Sequence, residues 1–431
     1  MSGGLIGDMF QAIGGAGLPR LKRAAGVITR RIPVPQPVLL VGPGSAQRLG
    51  EAIAGFGHRR LLLVTDSVIT RLGLAETLTG ALAAAGVEWA VFDEVTADAP
   101  IPMVERGVAV FEAKRCDAIV AFGGGSVMDT AKVIGLAAAN GKAPRALAGY
   151  FRGRHGPVPI YAVPTTAGTG SEVSVAAVIS DPEAGRKFVV IDTRIVPDMA
   201  ALDATLMVGL PADITAATGM DAFTHAVEAY LSEWATPYTD RMALAAAATI
   251  WQHLPRAVAQ GHDLLAREGL AWASACAGMA FTRTNVGNVH ALAHQLGGRY
   301  HTPHGLANAL MLPPVLRFTL PAAVPRLAGL ARRVGLEGGS ERVLAEGFIA
   351  AVQALNDGIG IPRTLAELRE GDLGELAAAA CREADLSYPV PRRMTPPDAA
   401  ALLREVMPAP AGAAKRPRRT PTAKAGRVRD A

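Results

Sequence analysis

The fold class is decided by the stretch Ala118-Ile119-Val120-Ala121-Phe122-Gly123-Gly124-Gly125-Ser126-Val127-Met128-Asp129-Thr130-Ala131-Lys132. Its first five residues are continuously apolar, as in a strand that is buried on both faces. The glycines that follow open a helix, whose free N–H groups and dipole favour a pyrophosphate. The run is not the GxGxxG fingerprint, and a plain strand-to-helix turn has a similar composition. Alone, the stretch indicates a nucleotide site without establishing one.

Similar segments lie on both sides of this stretch. Short apolar runs alternate with longer amphipathic ones through the first half of the chain, an order typical of a parallel sheet covered on both faces by helices. The predicted strands are Val38–Val41, Arg60–Thr65, Trp89–Phe92, Ala118–Phe122 and Ile160–Val163. The predicted helices between them include Ala46–Gly55, Leu72–Ala85 and Pro102–Arg115. We therefore expect an α/β, Rossmann-like dinucleotide-binding domain.

The pattern changes after about Leu206, where Ala- and Leu-rich segments with helical periodicity take over. The predicted helices are Asp213–Ser232, Thr239–Ala259, Leu264–Thr284, Val289–Gly298 and Leu306–Leu320. A chain of 431 residues is too long for one ordinary core. We expect an N-terminal arm over 1–33, the α/β domain over 34–205, an all-α domain over 206–407 and a tail over 408–431.

Charge and cysteine content narrow the class of protein. The net charge of +5 is concentrated after Met407, where seven Lys and Arg residues stand against one Asp. The rest is nearly neutral, so we expect a disordered basic tail and no specific nucleic-acid partner. No run of 18 apolar residues predicts a membrane span, and the N-terminus lacks the pattern of a secretory signal. Three distant cysteines fit a reducing cytoplasm.

Two further segments of the first half are candidates for cofactor binding. Asp66 follows the second predicted strand, where an acid can accept the adenosine ribose hydroxyls and repel the 2′-phosphate of NADP. An N-cap for the next helix is an equally good interpretation of Asp66. The segment Pro164–Ser174, PTTAGTGSEVS, places hydroxyls and glycines after a strand. It suits a phosphate or nicotinamide-ribose cradle, although a polar loop would have the same composition.

The second half contains a set of metal-ligand residue types. Asp221 and His225 are four apart on one predicted helix, and His290 and His294 repeat that spacing on another, so each pair shares a helix face. His304 lies in Thr-Pro-His-Gly, which we predict to be a loop before the next helix. One carboxylate with imidazoles suits iron(II) or zinc better than calcium or magnesium. We therefore expect a divalent metal site in the helical domain.

These motifs together resemble the iron-containing (group III) alcohol dehydrogenase family from about Pro35 to Met407. The resemblance implies a dehydroquinate synthase-like architecture with the site in a cleft between the two domains. It places the metal ligands on Asp221, His225, His290 and His304, and an active-site histidine on His294. It also implies cofactor contacts at residues that carry hydroxyls, charges or no side chain: Asp66, Gly124, Gly125, Ser126, Asp129, Thr165, Thr166, Thr169, Ser174 and Lys187.

The implied reaction is hydride transfer between a small primary alcohol or diol, or its aldehyde, and NAD. The metal, Fe(2+) or alternatively Zn(2+), would polarise the alcohol oxygen, and His294 would relay its proton. A homodimer or larger homo-oligomer is expected from the resemblance. Gln295 stands where proline is frequent and Ser174 where threonine is frequent, and Asp98–Pro100 matches a variable cofactor loop only loosely.

Other reactions remain open on the same fold. The relatives that the resemblance implies also include glycerol dehydrogenases, maleylacetate reductases and hydroxyacid–oxoacid transhydrogenases. A carbon–oxygen lyase similar to dehydroquinate synthase would need a basic cluster for a phosphorylated substrate, and only Arg283 and Arg299 are near the metal motifs. A non-enzymatic tether acting through the basic tail is the third alternative.

Overall fold

The computed structural model describes residues 32–183 and 186–408. Nearly all of the predicted N-terminal arm and of the basic tail lies outside the described residues. The expectations for both segments therefore stay predictions.

A six-stranded parallel sheet forms the first half, with strand order β1-β9-β6-β4-β2-β3. Its strands are β1 Val38–Val41, β2 Arg60–Val64, β3 Glu88–Phe92, β4 Ala118–Gly123, β6 Ile160–Pro164 and β9 Met199–Leu202. The five predicted strands are thus confirmed to within one residue at each end. Strand β9 was not predicted, because Met-Ala-Ala-Leu is short and poor in β-branched residues.

Strand β4 shows why the sheet needs helices on both faces. All six of its residues are buried. Ile119 and Ala121 belong to one apolar cluster, and Val120 and Phe122 belong to another on the opposite face. This alternation follows from the two-residue period of a strand. The covering helices are α1 Ser45–Ala54, α2 Ser67–Leu72, α3 Glu76–Ala84, α4 Ile101–Ala113 and α5 Gly125–Asn140.

The prediction of one helix over Leu72–Ala85 is wrong. Helix α2 ends at Leu72, and helix α3 begins at Glu76. Gly73 lies between them with φ +66°, and its N–H bonds back to the carbonyl oxygens of Ile69 and Thr70. A glycine in this left-handed conformation ends a helix at little steric cost.

A second, three-stranded sheet packs beside helix α5 and was not predicted. It contains β5 Gly149–Tyr150, β7 Ala176–Asp181 and β8 Arg186–Ile191, in the order β5-β8-β7. Strands β7 and β8 pair antiparallel, and β5 pairs parallel with β8. Strands β7 and β8 contain apolar runs of four residues, at 176–179 and 188–191, as long as the run that predicted β1. A pattern for these two strands was therefore present in the sequence and was missed.

The second half of the described chain is helical. Its helices are α6 Ala212–Leu231, α7 Pro237–Ala259, α8 Leu264–Thr284, α9 Asn288–Tyr300, α10 His304–Arg333, α11 Glu341–Gly358, α12 Leu373–Ser387 and α13 Pro396–Glu405. The prediction of an all-α second half is confirmed. Helix α10 is much longer than predicted, because it continues through four internal prolines with a kink at Ala323.

Helix α10 also corrects the predicted position of His304. This residue is the first of the helix and does not lie in a loop. Its neighbour Gly305 packs so closely on helix α6 that a Cβ there would lie 2.2 Å from the carbonyl oxygen of Ala217. By length and composition α10 could cross a membrane, but 72% of its most apolar window is buried inside the protein. That burial is typical of a core helix.

Glycines in the loop after β6 join the two halves of the molecule. A Cβ on Gly168 would lie 2.9 Å from Cβ of Thr218 on α6. A Cβ on Gly170, which has φ +59°, would lie 2.8 Å from Cα of Gly278 on α8. Only glycine permits this approach, which places the loop against the helices that carry the predicted metal ligands.

Candidate metal and cofactor site

The predicted cofactor residues meet at one edge of the main sheet. Strands β2, β4 and β6 are neighbours and parallel, so their carboxyl ends lie side by side. Asp66 follows β2, Gly124–Ser126 follow β4, and Thr165–Thr169 follow β6. The carboxyl edge of a parallel sheet is where open α/β folds bind ligands.

The N-terminus of helix α5 is the centre of this edge. Gly124 is its N-cap, and no side chain caps the helix. A Cβ on Gly125 would lie 2.5 Å from Cγ2 of Thr169, whereas one on Gly124 would lie 3.5 Å from Oγ1 of Thr166. The two predicted cofactor loops are therefore in direct contact, with backbone amides available for an anion.

The position of Asp66 allows both the helix N-cap and the ribose contact that were considered for it. Its Oδ1 accepts hydrogen bonds from the N–H groups of Val68 and Ile69, at 2.9 and 3.0 Å, so it is the N-cap of helix α2. Both bonds use Oδ1, so Oδ2 lies outside the cap. The capping role is present in the structure, and a ribose contact through Oδ2 stays a prediction.

Asp129 points into the protein and connects secondary-structure elements. Its Oδ1 accepts a hydrogen bond of 2.7 Å from the hydroxyl of Ser171, and its Oδ2 accepts one of 2.8 Å from the N–H of Val178. Burial raises the pKa of Asp129, against the opposing effect of Lys132. Asp129 thus fixes helix α5 to strand β7 and to the loop that follows β6.

Ser174 is likewise held from inside, by the fully buried Lys132. The Nζ of Lys132 donates to Oγ and O of Ser174, at 3.1 and 2.9 Å, and to Ser171 Oγ and Ala176 O, each at 3.0 Å. Burial lowers the pKa of Lys132 to about 8, although Asp129 opposes this shift. Sequence reasoning missed Lys132, although it ends the motif that begins at Gly123.

Lys187 and Ser126 lie at the outer side of the same edge. The Nζ of Lys187, on β8, is 2.9 Å from Oδ1 of Asp98. The hydroxyl of Ser126 donates to the carbonyl oxygen of Ala97 in the same loop. His301, at the end of α9, reaches Asp98 Oδ2 at 3.8 Å. The loosely matched loop at Asp98 therefore joins Lys187 to the helical half.

The four predicted metal ligands come together from three helices. Asp221 and His225 lie on α6, His290 on α9 and His304 on α10, and one potential ligand atom from each lies within 4.8 Å of the others. Asp221 Oδ1 is 3.4 Å from Nε2 of His304 and 3.8 Å from Nε2 of His290. The spacing that suggested a site in the sequence thus corresponds to a compact cluster.

The chemistry of this cluster fits a divalent cation. Asp221, His225 and His290 are all buried. Burial lowers the pKa of His225 and holds that of His290 well below its ordinary value, which keeps both rings neutral with lone pairs available. Among the described residues, no Lys or Arg pairs with the Asp221 carboxylate. A buried carboxylate surrounded by neutral imidazoles suits iron(II) or zinc.

Two supporting residues of the cluster were missed in the sequence. Glu228 Oε2 is 2.6 Å from Nδ1 of His290, and the same carboxylate accepts the N–H groups of Gly287 and Val289. Burial raises the pKa of Glu228 to about 7, against the effect of these hydrogen bonds. Glu228 lies seven residues after Asp221 on α6, so the helical period that paired Asp221 with His225 could have found it.

Asn308 is the second supporting residue and lies one helical turn after His304. Its Nδ2 donates to Asp221 Oδ1 at 2.7 Å. The same atom is 3.1 Å from Nε2 of His290 and 3.2 Å from Nε2 of His304. Asn308 is completely buried, and its amide nitrogen, which carries two hydrogens, lies within 3.2 Å of one atom from each of three candidate ligands.

His294 lies beside the cluster, one turn after His290. Its ring centroid is 5.8 Å from that of His290 and 5.3 Å from that of His304. Its Nδ1 is 2.5 Å from Oε1 of Glu383, on helix α12, a residue that sequence reasoning missed. Burial lowers the pKa of His294, but the charge and hydrogen bond of Glu383 outweigh burial and raise it overall. The ring of Phe281 stacks on that of His225, with the ring centroids 4.4 Å apart.

Comparison with known protein families identifies the family to which the chain belongs. Residues 36–204 match the family model "Iron-containing alcohol dehydrogenase". Residues 215–407 match "Fe-containing alcohol dehydrogenase family, C-terminal". The chain belongs to the iron-containing alcohol dehydrogenase family. The resemblance inferred from the motifs is thereby confirmed.

Individual relatives of this alcohol dehydrogenase align along almost their whole length. The chain is 40% identical to the NAD-dependent methanol dehydrogenase of Bacillus methanolicus over 375 residues, which covers 86% of this chain and 98% of the relative. It is 42% identical to the 1,3-propanediol dehydrogenase of Klebsiella pneumoniae, covering 84% and 95%. A crystal structure of a 1,3-propanediol oxidoreductase superposes with a TM-score of 0.85 and 41% identity, covering 88% of this chain and all of that one.

Proposed function

We propose that this alcohol dehydrogenase transfers a hydride between a small primary alcohol or diol, or the corresponding aldehyde, and NAD, with Fe(2+) as the preferred metal. The observation that carries the proposal is the cluster of Asp221, His225, His290 and His304, whose ligand atoms lie within 4.8 Å of one another. The loop after β6 links this cluster to an uncapped helix N-terminus at the sheet edge. A metal site and a dinucleotide site thus adjoin.

The residues of the chain have distinct roles in this reaction. The four ligands would hold the metal, which supplies a Lewis acid for the alcohol oxygen when bound. Gly124, Gly125 and the amides that follow would bind the pyrophosphate of NAD, whose nicotinamide accepts the hydride. His294 would accept the hydroxyl proton. Thr165, Thr166 and Thr169 would line the cofactor on the side of β6.

The remaining cofactor candidates fall into two groups, those at the sheet edge and those whose side chains form hydrogen bonds inside the protein. Asp66 and Ser126 lie at the edge and would contact NAD directly. Lys187 would do so from β8, after exchanging its contact with Asp98. Asp129 and Ser174 are engaged inside the protein, so we propose that they act through the shape of the two cofactor loops.

A substrate panel tests the reaction class. The full chain, purified with its metal, is assayed for reduction of NAD⁺ and NADP⁺ with methanol, longer primary alcohols, 1,3-propanediol, glycerol and a 2-hydroxy acid. The expected result is NAD-linked oxidation of primary alcohols and diols, with the small alcohols and diols named for the relatives among the best. Preference for glycerol or the hydroxy acid, or for NADP⁺, would replace the proposal by another reaction on this fold.

The role of His294 has its own test. His294→Ala is expected to lower kcat by about a hundredfold, within the usual range for a general acid–base group, with metal content unchanged. His262, which lies exposed before helix α8, provides the matched control as His262→Ala. Unchanged turnover of the His294 variant across pH would remove this residue from the reaction.

We also propose that the chain forms a homodimer or larger assembly and that it acts in the cytoplasm. The boundary between its two domains is proposed near residue 205. Strand β1 is an edge strand whose Val38 and Val41 are 58% and 46% exposed, which supports association. All three cysteines are free and buried, which fits a reducing compartment. Light scattering tests the assembly, since a monomer at every concentration would contradict it.

A further inference from the structure

Glu383 is a half-buried acid that reaches the site from helix α12. Its Oε1 is 2.5 Å from Nδ1 of His294 and accepts a hydrogen bond of 2.5 Å from the hydroxyl of Tyr388. Its Oε2 accepts one of 2.9 Å from Nε2 of Gln295. Both oxygens therefore have fixed partners, and the carboxylate cannot turn away from the histidine.

This arrangement determines the state of the His294 ring. A carboxylate that accepts from a tyrosine and an amide offers only acceptor sites at Oε1, so the atom facing it at 2.5 Å must carry a proton. In the neutral ring that proton lies on Nδ1 and leaves the lone pair on Nε2. His294 is 30% exposed and Glu383 is 27% exposed, so the pair borders the cleft without being free in solvent.

Helix α9 contributes two histidines that each pair with a carboxylate through Nδ1. One turn earlier, Nδ1 of His290 is 2.6 Å from Oε2 of Glu228, and Nε2 of His290 faces the metal cluster. A carboxylate at one ring nitrogen of a metal-binding histidine fixes the tautomer and the ring orientation. The geometry of His294 and Glu383 repeats this pairing on a histidine that is not among the four ligands.

We propose that Glu383, anchored by Tyr388 and Gln295, is a positioning residue that fixes the ring orientation and the Nδ1-protonated form of His294. Nε2 of His294 is thereby the nitrogen that takes up the proton of the substrate hydroxyl. The inference rests on the proposed role of His294 in the reaction. It assigns Glu383 an effect on turnover through His294 alone, with no contact to metal or NAD.

The decisive experiment is a double-mutant cycle on the metal-loaded enzyme with His294→Ala, Glu383→Gln and both together. Glu383→Gln keeps the size of the side chain and removes its charge. We expect it to lower kcat by about 10- to 100-fold, the range for partners that orient a functional histidine. Metal content and KM for NAD⁺ should stay at the wild-type values. The double variant should be no slower than His294→Ala, because Glu383 acts only through that ring.

Matched controls separate positioning from stability. Asp385, two residues later on α12, pairs with Arg393 at 2.6 Å and serves as the acid-to-amide control Asp385→Asn, which should keep full kcat. Glu383→Asp keeps the charge and should recover part of the activity lost in Glu383→Gln. In zinc-loaded protein, one downfield proton resonance of a hydrogen-bonded imidazole N–H should disappear in both His294→Ala and Glu383→Gln, while the one from His290 opposite Glu228 should remain.

The outcomes distinguish this proposal from the one on which it rests. Full kcat in His294→Ala would overturn the role of His294 in the reaction and this inference with it. A slow His294→Ala with a wild-type Glu383→Gln would overturn the positioning role alone. So would multiplicative losses in the double variant, or loss of metal in Glu383→Gln, because each would give Glu383 an effect that does not pass through His294.

Discussion

The metal cluster and the cofactor edge adjoin in one molecule but are built in opposite ways. The cluster consists of side chains on rigid helices, and buried partners such as Glu228 and Asn308 fix their orientation. The cofactor edge consists mainly of backbone, with glycines at the end of β4 and the uncapped N-terminus of α5. Function in the first region therefore depends on the identity of side chains, and in the second on their absence.

The largest effect should follow from removing a candidate metal ligand. His290→Ala or His304→Ala removes one of the three imidazoles from the four-residue cluster and leaves the buried Asp221 carboxylate poorly compensated. We expect purified protein with little or no bound metal and no NAD⁺ reduction, as measured by elemental analysis and a coupled assay. The exposed His262→Ala should keep its metal. Full occupancy in both ligand variants would exclude these residues as ligands.

Glu172, a buried acid in the loop after β6, tests whether ionisation of a carboxyl group on the cofactor side lowers the stability of the fold. Burial raises the pKa of Glu172 to about 7. Because the folded pKa exceeds the unfolded value, the stability that this group contributes at low pH is lost as pH rises from about 4.5 to about 7. The free energy of unfolding of Glu172→Gln, relative to that of wild type, should therefore increase by up to about 3 kcal/mol between pH 4.5 and pH 8. Parallel pH profiles of the free energy of unfolding would contradict this.

Glu228 tests the support of the metal cluster. Glu228→Gln removes the charge opposite Nδ1 of His290 but keeps the size of the side chain. The expected loss of metal affinity is about 10- to 100-fold, measured by chelator competition. Binding of NAD⁺ should not change, since Glu228 forms its hydrogen bonds with Gly287, Val289 and His290, on or just before α9. An equal loss of NAD⁺ affinity would mean that the two regions are not separable in this way.

Gly125 tests the cofactor edge by adding a single carbon. The new Cβ in Gly125→Ala would lie 2.5 Å from Cγ2 of Thr169, so the Thr169 side chain or the loop that carries it must shift. We expect NAD⁺ to bind about tenfold more weakly, equivalent to about 1.4 kcal/mol, with metal content unchanged. Gly347→Ala, on α11 with no atom within 4 Å of the added carbon, is the control. NAD⁺ affinity at the wild-type level would remove Gly125 from the edge.

Asp66 should show the smallest effect, which concerns selectivity. Asp66→Asn keeps an N-cap for α2 but removes the charge that would repel the 2′-phosphate of NADP. The ratio of kcat/KM for NAD⁺ over NADP⁺ should fall severalfold while thermal stability stays the same. An unchanged ratio would leave Asp66 as a helix cap only.

The features that could be predicted from the sequence are those with a strong local pattern. Continuous apolar runs such as Ala118–Phe122 identified five strands, because burial on both faces leaves a strong pattern. The β5-β8-β7 sheet was missed, although β7 and β8 carry short apolar runs at 176–179 and 188–191. In the site, residue type and helical spacing selected Asp221, His225, His290 and His304, which the structure brings together.

The direction of a side chain is what the sequence could not show. Asp129 and Ser174 were predicted at the cofactor because of their motif, yet both form hydrogen bonds inside the protein. Glu383 lies 89 residues from His294 in sequence, so only the packing of α12 on α9 reveals their contact. Long-range partners of this kind depend on tertiary structure and have no local pattern.

Metal-dependent alcohol oxidation is tested most directly by measuring bound metal and NADH formation in the same anaerobically purified protein. We expect close to one iron per chain and NAD-linked alcohol oxidation that stops when the metal is chelated and returns when iron is added back. Metal-free protein that stays inert after addition of iron or zinc, with either cofactor, would contradict it. So would alcohol oxidation at the full rate after the metal has been removed.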